Sequence, residues 1–74
     1  MHRITVIEFN PQDRDDTLDA ITDAKAIIDA AGVVRLSPSS NLILYDCLYL
    51  LDSRGFSASV QGYFYYKPTK GATK

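Results

Sequence analysis

The chain has 74 residues, a formal net charge of −1, and a composition that is 46% hydrophobic and 23% charged. These proportions are typical of one folded globular domain and exclude an intrinsically disordered chain. One cysteine and one histidine exclude a disulfide framework and a Cys/His zinc site, so stability must come from core packing, a partner or a second copy.

The first predicted element is a strand over residues 3–9, RITVIEF, which is rich in β-branched residues and is followed closely by Pro11. Ile4 and Val6 point to one side of this strand, and its other apolar side chains point to the opposite side. Apolar groups on both sides predict a strand in the interior of the sheet, or one covered on both faces.

The second predicted element is a helix from about Asp15 to Ala31. Asp13 and its neighbouring aspartates suit the unpaired N–H groups and the positive end of the helix dipole, and Gly32 suits the left-handed position after the last turn. The helical period separates an apolar arc of Thr17, Ala20, Ile21, Ala24, Ile27, Ile28 and Ala31 from an acidic face of Asp19, Asp23 and Asp29.

The most apolar stretch, residues 39–55, is predicted to be a second helix. At about 100° per residue its aliphatic arc holds Ile43, Leu44, Cys47, Leu48, Leu50 and Leu51, while Leu42, Tyr45, Asp46 and Tyr49 lie on the other side. Ser39, Ser40 and Asn41 offer N-cap oxygens. Gly55 suits the left-handed C-terminal position, with Phe56 as the apolar residue after it.

Two further strands flank this helix. Val33–Leu36 is short and β-branched at its start, and Pro38 terminates it. Phe56–Tyr66 alternates between apolar and polar residues, which predicts one long strand with a wet face that carries Tyr63 and Tyr65.

The predicted fold is therefore a small α+β domain over residues 1–68, in the order β-α-β(short)-α-β, with two helices on one face of a small sheet. Residues 69–74 are predicted to be a disordered basic tail. If residues 42–51 form a strand instead, with a turn at 52–55, the order becomes β-α-β-β-β.

No motif of catalytic chemistry is present. Cys47 lies in an aliphatic arc far in sequence from the only histidine, and the glycines lack the spacing of a phosphate-binding loop. We expect no enzyme activity, no cofactor and no metal site. The absence of a secretory signal or a long apolar segment, together with the lone cysteine, predicts a cytoplasmic protein that does not enter membranes.

The favoured interpretation is a non-catalytic interaction module, an accessory or inhibitor protein that binds a protein partner. Tyrosine is enriched in interface hot spots because it buries a large area and keeps a hydrogen-bonding tip, and the chain has five tyrosines. A homodimer is one expected use of this surface. Anti-defence inhibitors of phages and mobile elements have a similar size, which is an analogy only. The predicted partner-binding residues are Leu42, Tyr45, Asp46, Tyr49, Tyr63 and Tyr65.

The alternative interpretation is a module that binds single-stranded nucleic acid. The aromatic strand 63–66 could stack bases, and the basic tail could contact phosphates. The sequence lacks a dense basic patch, however, so nucleic acid is the less favoured partner.

Overall fold

A computed structural model describes residues 3–67 as an α+β fold, as predicted, with two helices and a four-stranded sheet. The predicted tail at 69–74 lies outside the described residues. The elements are β1 (Ile4–Phe9), α1 (Arg14–Asp29), β2 (Val33–Pro38), α2 (Tyr45–Ser53), β3 (Phe56–Ala58) and β4 (Phe64–Tyr66).

The sheet has the strand order β1-β2-β4-β3. The strands β1 and β2 are parallel, with Ile4 opposite Val33, and α1 is the crossover connection that such a pair needs. The strand β4 runs antiparallel to both of its neighbours, with Phe64 opposite Leu36 on one side and Ala58 on the other. The sheet is therefore mixed, and β1 and β3 are its two edges.

One face of the sheet carries the core, and both helices cover this face. Leu36, at the centre of β2, is fully buried. Because side chains alternate along a strand, the register places Phe64 and Phe56 on the same face. The core also contains Phe9, Ala20, Ile21, Ala24, Val34, Leu50 and Leu51.

The two ends of α1 are capped in different ways. Asp13, one of the three aspartates predicted to cap this end, is the N-cap, and its carboxylate accepts from the amides of Asp15 and Asp16. At the C-terminus the left-handed residue is Ala31 (φ 66°) rather than Gly32. The amide of Gly32 donates to the carbonyl of Ile27 at 2.8 Å, which completes a Schellman ending one residue earlier than predicted.

The prediction that β1 is an interior strand is wrong. It lies at the edge of the sheet, and Ile4 and Val6 are 46% and 54% exposed. The central position belongs to β2, because β4 pairs with the side of β2 that β1 leaves free. Of the apolar side chains on the two sides of β1, the set with Ile4 and Val6 is therefore left uncovered.

The second helix is confirmed, and the strand alternative for residues 42–51 is wrong. The helix begins later than predicted, at Tyr45, with Leu44 as an N-cap that makes no side-chain hydrogen bond. The hydroxyl of Ser40 instead accepts from the amide of Leu42 within the preceding loop. The C-terminus is as predicted, since Gly55 has φ 89° and is followed by the buried Phe56.

The single long strand predicted over 56–66 is a hairpin. The amide of Ser59 donates to the carbonyl of Tyr63 at 2.8 Å, closing a three-residue loop. Gly62, with φ 97°, occupies the left-handed position that such loops require. Val60, predicted on the apolar side of the strand, is 98% exposed at the tip of the loop.

Candidate interaction surface

One side of α2 faces away from the core and carries the tyrosines that the sequence singled out. Tyr45, Leu48, Tyr49 and Asp52 follow the spacing i, i+3, i+4 and i+7, which places them in one row along a helix. Tyr45 is 83% exposed and Tyr49 is 65% exposed. This row forms one wall of a groove.

The opposite wall is the edge of the sheet. A groove of about 380 Å³ separates the α2 row from β3, and the lining is mainly apolar. We call it the α2–β3 groove; its lining residues are Tyr45, Leu48, Tyr49, Asp52, Phe56, Ser57, Ala58 and Phe64. The buried rings of Phe56 and Phe64 belong to the core, so the groove opens directly onto the core.

Leu44 and Leu48 were both predicted in the buried aliphatic arc, and both are exposed. Leu44 is the N-cap and is 47% exposed. Leu48 lies on the helix and is 42% exposed, whereas Cys47 and Leu51 are fully buried. The helix is nine residues long, and the strands β3 and β4 on its side of the sheet have only three residues each. Only Cys47, Leu50 and Leu51 are buried along it, so Leu48 adds an aliphatic group to the groove.

The other predicted residues on this side of the molecule do not line the groove. Leu42 lies in the loop before the helix rather than on it, and it is 71% exposed. Asp46 is exposed in the first turn of α2, next to the tyrosine row. Of the four residues predicted on this side of the helix, only Tyr45 and Tyr49 therefore line the groove.

Tyr63 and Tyr65 belong to a second surface, on the face of the sheet opposite the helices. We call this the open sheet face; it holds Ile4, Val6, Val33, Arg35, Tyr63 and Tyr65, as the register and the alternation of side chains require. Both tyrosines are half-buried rather than fully outward. The six predicted partner-binding residues therefore do not form one patch.

The open sheet face has an arginine at its centre. The guanidinium carbon of Arg35 lies 3.9 Å from the centre of the Tyr63 ring. The Nε atom of Arg35 is buried and has no hydrogen-bond partner within residues 3–67. The sequence pattern gave no sign of this pair, because it depends on the hairpin that places Tyr63 beside β2.

The acidic face of α1 lies apart from both aromatic surfaces. Asp19, Asp23 and Asp29 are all exposed, and none of them lines the α2–β3 groove. This face has the character of a solvated helix surface.

Cys47 is a free cysteine and is fully buried. No group of three or more histidine, cysteine or acidic residues within 3–67 is arranged to hold a metal ion. The helices of the same region are too short or too polar to cross a membrane.

Comparison with models of protein families, with curated proteins and with solved structures finds no match. The surfaces described above are therefore the basis for any inference about function.

Proposed function

We propose that the chain is a small non-catalytic protein-interaction module, an accessory or inhibitor protein that binds a protein partner through the α2–β3 groove. The observation that carries this proposal is the row of Tyr45, Leu48 and Tyr49, exposed beside a groove with an aromatic floor. Tyrosine-rich pockets of this kind are where binding energy concentrates in protein interfaces.

The exposure of these side chains supports the proposal on energetic grounds. Exposed apolar surface costs about 25 cal/mol per Å² relative to its burial, and a small domain has little stability to spare. Tyr45 and Tyr49 contribute little to the core, since most of each side chain is in solvent. A partner that covers them would recover this energy, while the phenol oxygens would keep hydrogen bonds at the rim.

Nucleic acid remains the second candidate and is less well supported. Base stacking on strand 63–66 requires free ring faces, but Phe64 is buried in the core and Arg35 covers one face of Tyr63. Within residues 3–67, alternation along β4 places Lys67 on this side of the sheet with Arg35, and phosphate binding needs a denser patch.

The experiment that tests the proposal is affinity capture with the tagged full chain from lysate of its source cell, compared across variants. We expect one protein complex to be recovered by the wild type and lost in both Tyr45→Ala and Tyr49→Ala. Val60→Ala is the matched control, because Val60 is 98% exposed and lies outside the groove.

A second assay distinguishes the two candidates. Fluorescence anisotropy with labelled single-stranded DNA should show weak binding that does not depend on Tyr63 or Tyr65. Tight binding that falls steeply with salt, and that is lost in Tyr63→Ala and Tyr65→Ala, would overturn the proposal in favour of nucleic acid.

A further inference from the structure

We infer that the partner presents an extended segment that adds to β3 as a fifth strand, with apolar side chains in the α2–β3 groove and a lysine or arginine next to Asp52. This inference rests on the proposed protein-binding function and deepens it by naming the mode and the chemistry of recognition. Addition of a strand to a free sheet edge is a common way to bind peptides.

The hydrogen bonds of the hairpin identify which backbone groups of β3 are free. The amide of Lys67 donates to Gly55 at 2.6 Å, and the amide of Ser59 donates to Tyr63 at 2.8 Å. In an antiparallel ladder, hydrogen-bonded and non-hydrogen-bonded pairs alternate. The backbone groups of Ser57 therefore face β4, and those of Phe56 and Ala58 face the open edge.

Nothing within the described chain occupies this edge. Phe56 and Ala58 make no backbone hydrogen bond outside the ladder among residues 3–67. An unpaired row of N–H and C=O groups is a template for another strand. The three residues of β3 would present about 10 Å of edge, at roughly 3.3 Å per residue.

The groove lies where the side chains of an added strand would fall. Ala58 lies on the helix side of the sheet, opposite Phe64, and both residues line the groove together with Tyr45 and Tyr49. Alternate side chains of a strand paired to β3 would point to this side. The backbone of β3 would thus fix the segment, and the groove would select its side chains.

Charge complementarity selects the polar part of the segment. Asp52 is the charged residue in the groove lining, it is exposed, and the rest of the lining is apolar or hydroxyl-bearing. A segment that alternates apolar residues with a lysine or arginine matches this lining.

The test begins with selection of a random octapeptide library on the immobilised full chain, followed by anisotropy titration of the most enriched peptide, synthesised with a fluorescent label. We expect enriched peptides to share an alternating apolar pattern with one basic residue. Asp52→Asn should weaken their binding at least threefold. A random or uniformly acidic set of peptides would contradict the inference.

Proline substitution tests the backbone contacts directly. Ala58→Pro removes an outward amide that the ladder does not use, and proline is tolerated on edge strands. We expect at least a tenfold loss of affinity. Val60→Pro is the matched control, since Val60 lies at the second position of the turn closed by Ser59 and Gly62, where proline is favoured; its affinity should stay within twofold of the wild type.

Amide hydrogen exchange in the wild type gives an independent readout if Ala58→Pro fails to fold. The bound peptide should slow exchange at Phe56 and Ala58 and leave Val60 unchanged. If exchange at these amides does not change, or if Ala58→Pro binds as the wild type does, strand addition is overturned. A second copy of the chain could also occupy the edge. In that case, without peptide, exchange in β3 would become slower as the protein concentration is raised, and sedimentation would show a dimer. This result would also overturn strand addition by a partner.

The outcomes separate this inference from the proposed function. Capture of a complex that is lost in Tyr45→Ala but kept in Ala58→Pro would leave the protein-binding function standing and reject strand addition. Capture that survives Tyr45→Ala and Tyr49→Ala would reject both.

Discussion

Arg35 and Tyr63 form a stacked pair across the central strands of the sheet, with the guanidinium carbon 3.9 Å from the ring centre. The pair connects β2 to the residue that follows the hairpin loop. The Nε atom of Arg35 is buried without a hydrogen-bond partner in the described chain, and the Tyr63 ring lies against the guanidinium.

The stacked pair should be measurable as a coupling free energy. A double-mutant cycle of Arg35→Met and Tyr63→Leu should give about 1 kcal/mol, within the range of cation–π pairs that are partly shielded from water. The measurement is urea unfolding of the four proteins. The more distant contact of Lys25 with the Tyr66 ring, at 5.3 Å, supplies the comparison cycle and should give a smaller coupling. Equal couplings would show that the Arg35 stack adds nothing.

The C-terminus of α1 should respond in opposite directions to two neighbouring substitutions. Ala31 has φ 66°, and a left-handed alanine costs about 1–2 kcal/mol. Ala31→Gly removes that cost, but the greater freedom of glycine in the unfolded chain offsets about 0.4–1 kcal/mol of it. We therefore expect the free energy of unfolding, measured by heat or urea, to increase by roughly 0.5–1 kcal/mol.

Gly32→Ala should instead destabilise the fold. A Cβ at Gly32 would lie 2.7 Å from Cγ2 and 3.0 Å from the carbonyl oxygen of Ile27, and such overpacking costs about 1–3 kcal/mol. Ala30→Gly is the control, because Ala30 has a negative φ of −88° and gains no relief from glycine. A stabilised Gly32→Ala variant would contradict the assigned ending.

The N-cap of α1 should contribute measurably to stability. The Asp13 carboxylate accepts from Asp15 and Asp16 at 3.0 and 3.2 Å, and loss of such a cap costs about 1 kcal/mol. We expect that loss in Asp13→Ala and recovery of most of it in Asp13→Asn, which keeps an acceptor oxygen. If the asparagine variant is as unstable as the alanine variant, charge rather than capping explains the effect.

Two leucines of α2 should differ sharply when truncated. Leu51 is fully buried and Leu48 is 42% exposed. Leu→Ala in a core costs about 2–5 kcal/mol, which approaches the whole stability of about 3–5 kcal/mol expected for a domain this small. Leu51→Ala should therefore abolish cooperative unfolding by circular dichroism, whereas Leu48→Ala should remain folded within about 1 kcal/mol of the wild type and lose partner binding. Similar losses of stability in both variants would place Leu48 in the core.

The helix period was sufficient to predict α1. Thr17, Ala20, Ile21 and Ala24 are buried as the pattern requires, and Asp13 caps the helix. Both are local effects, since the period sets which side faces the core and the cap needs only the next few amides. Tyr45 and Tyr49 were predicted to be exposed for the same reason, and they are.

The hairpin at 59–63 and the exposure of Leu48 could not be predicted by period alone. A continuous alternation of apolar and polar residues fits one long strand as well as two short ones. The turn between two short strands depends on the positive φ of Gly62, which is seen only in the folded loop. Once the chain turns there, the sheet ends in short strands, and α2 has too little surface to bury its whole aliphatic arc.

The amino-acid sequence by itself determined the α+β class, both helices and the outward tyrosines of α2, because these follow from local periodicity and capping. Only the tertiary structure decided that β1 is an edge, that Arg35 meets Tyr63, and that a groove opens between α2 and β3. Those features depend on which strands pair and where they stop, and pairing between distant segments is set by the packing of the whole chain rather than by any local pattern.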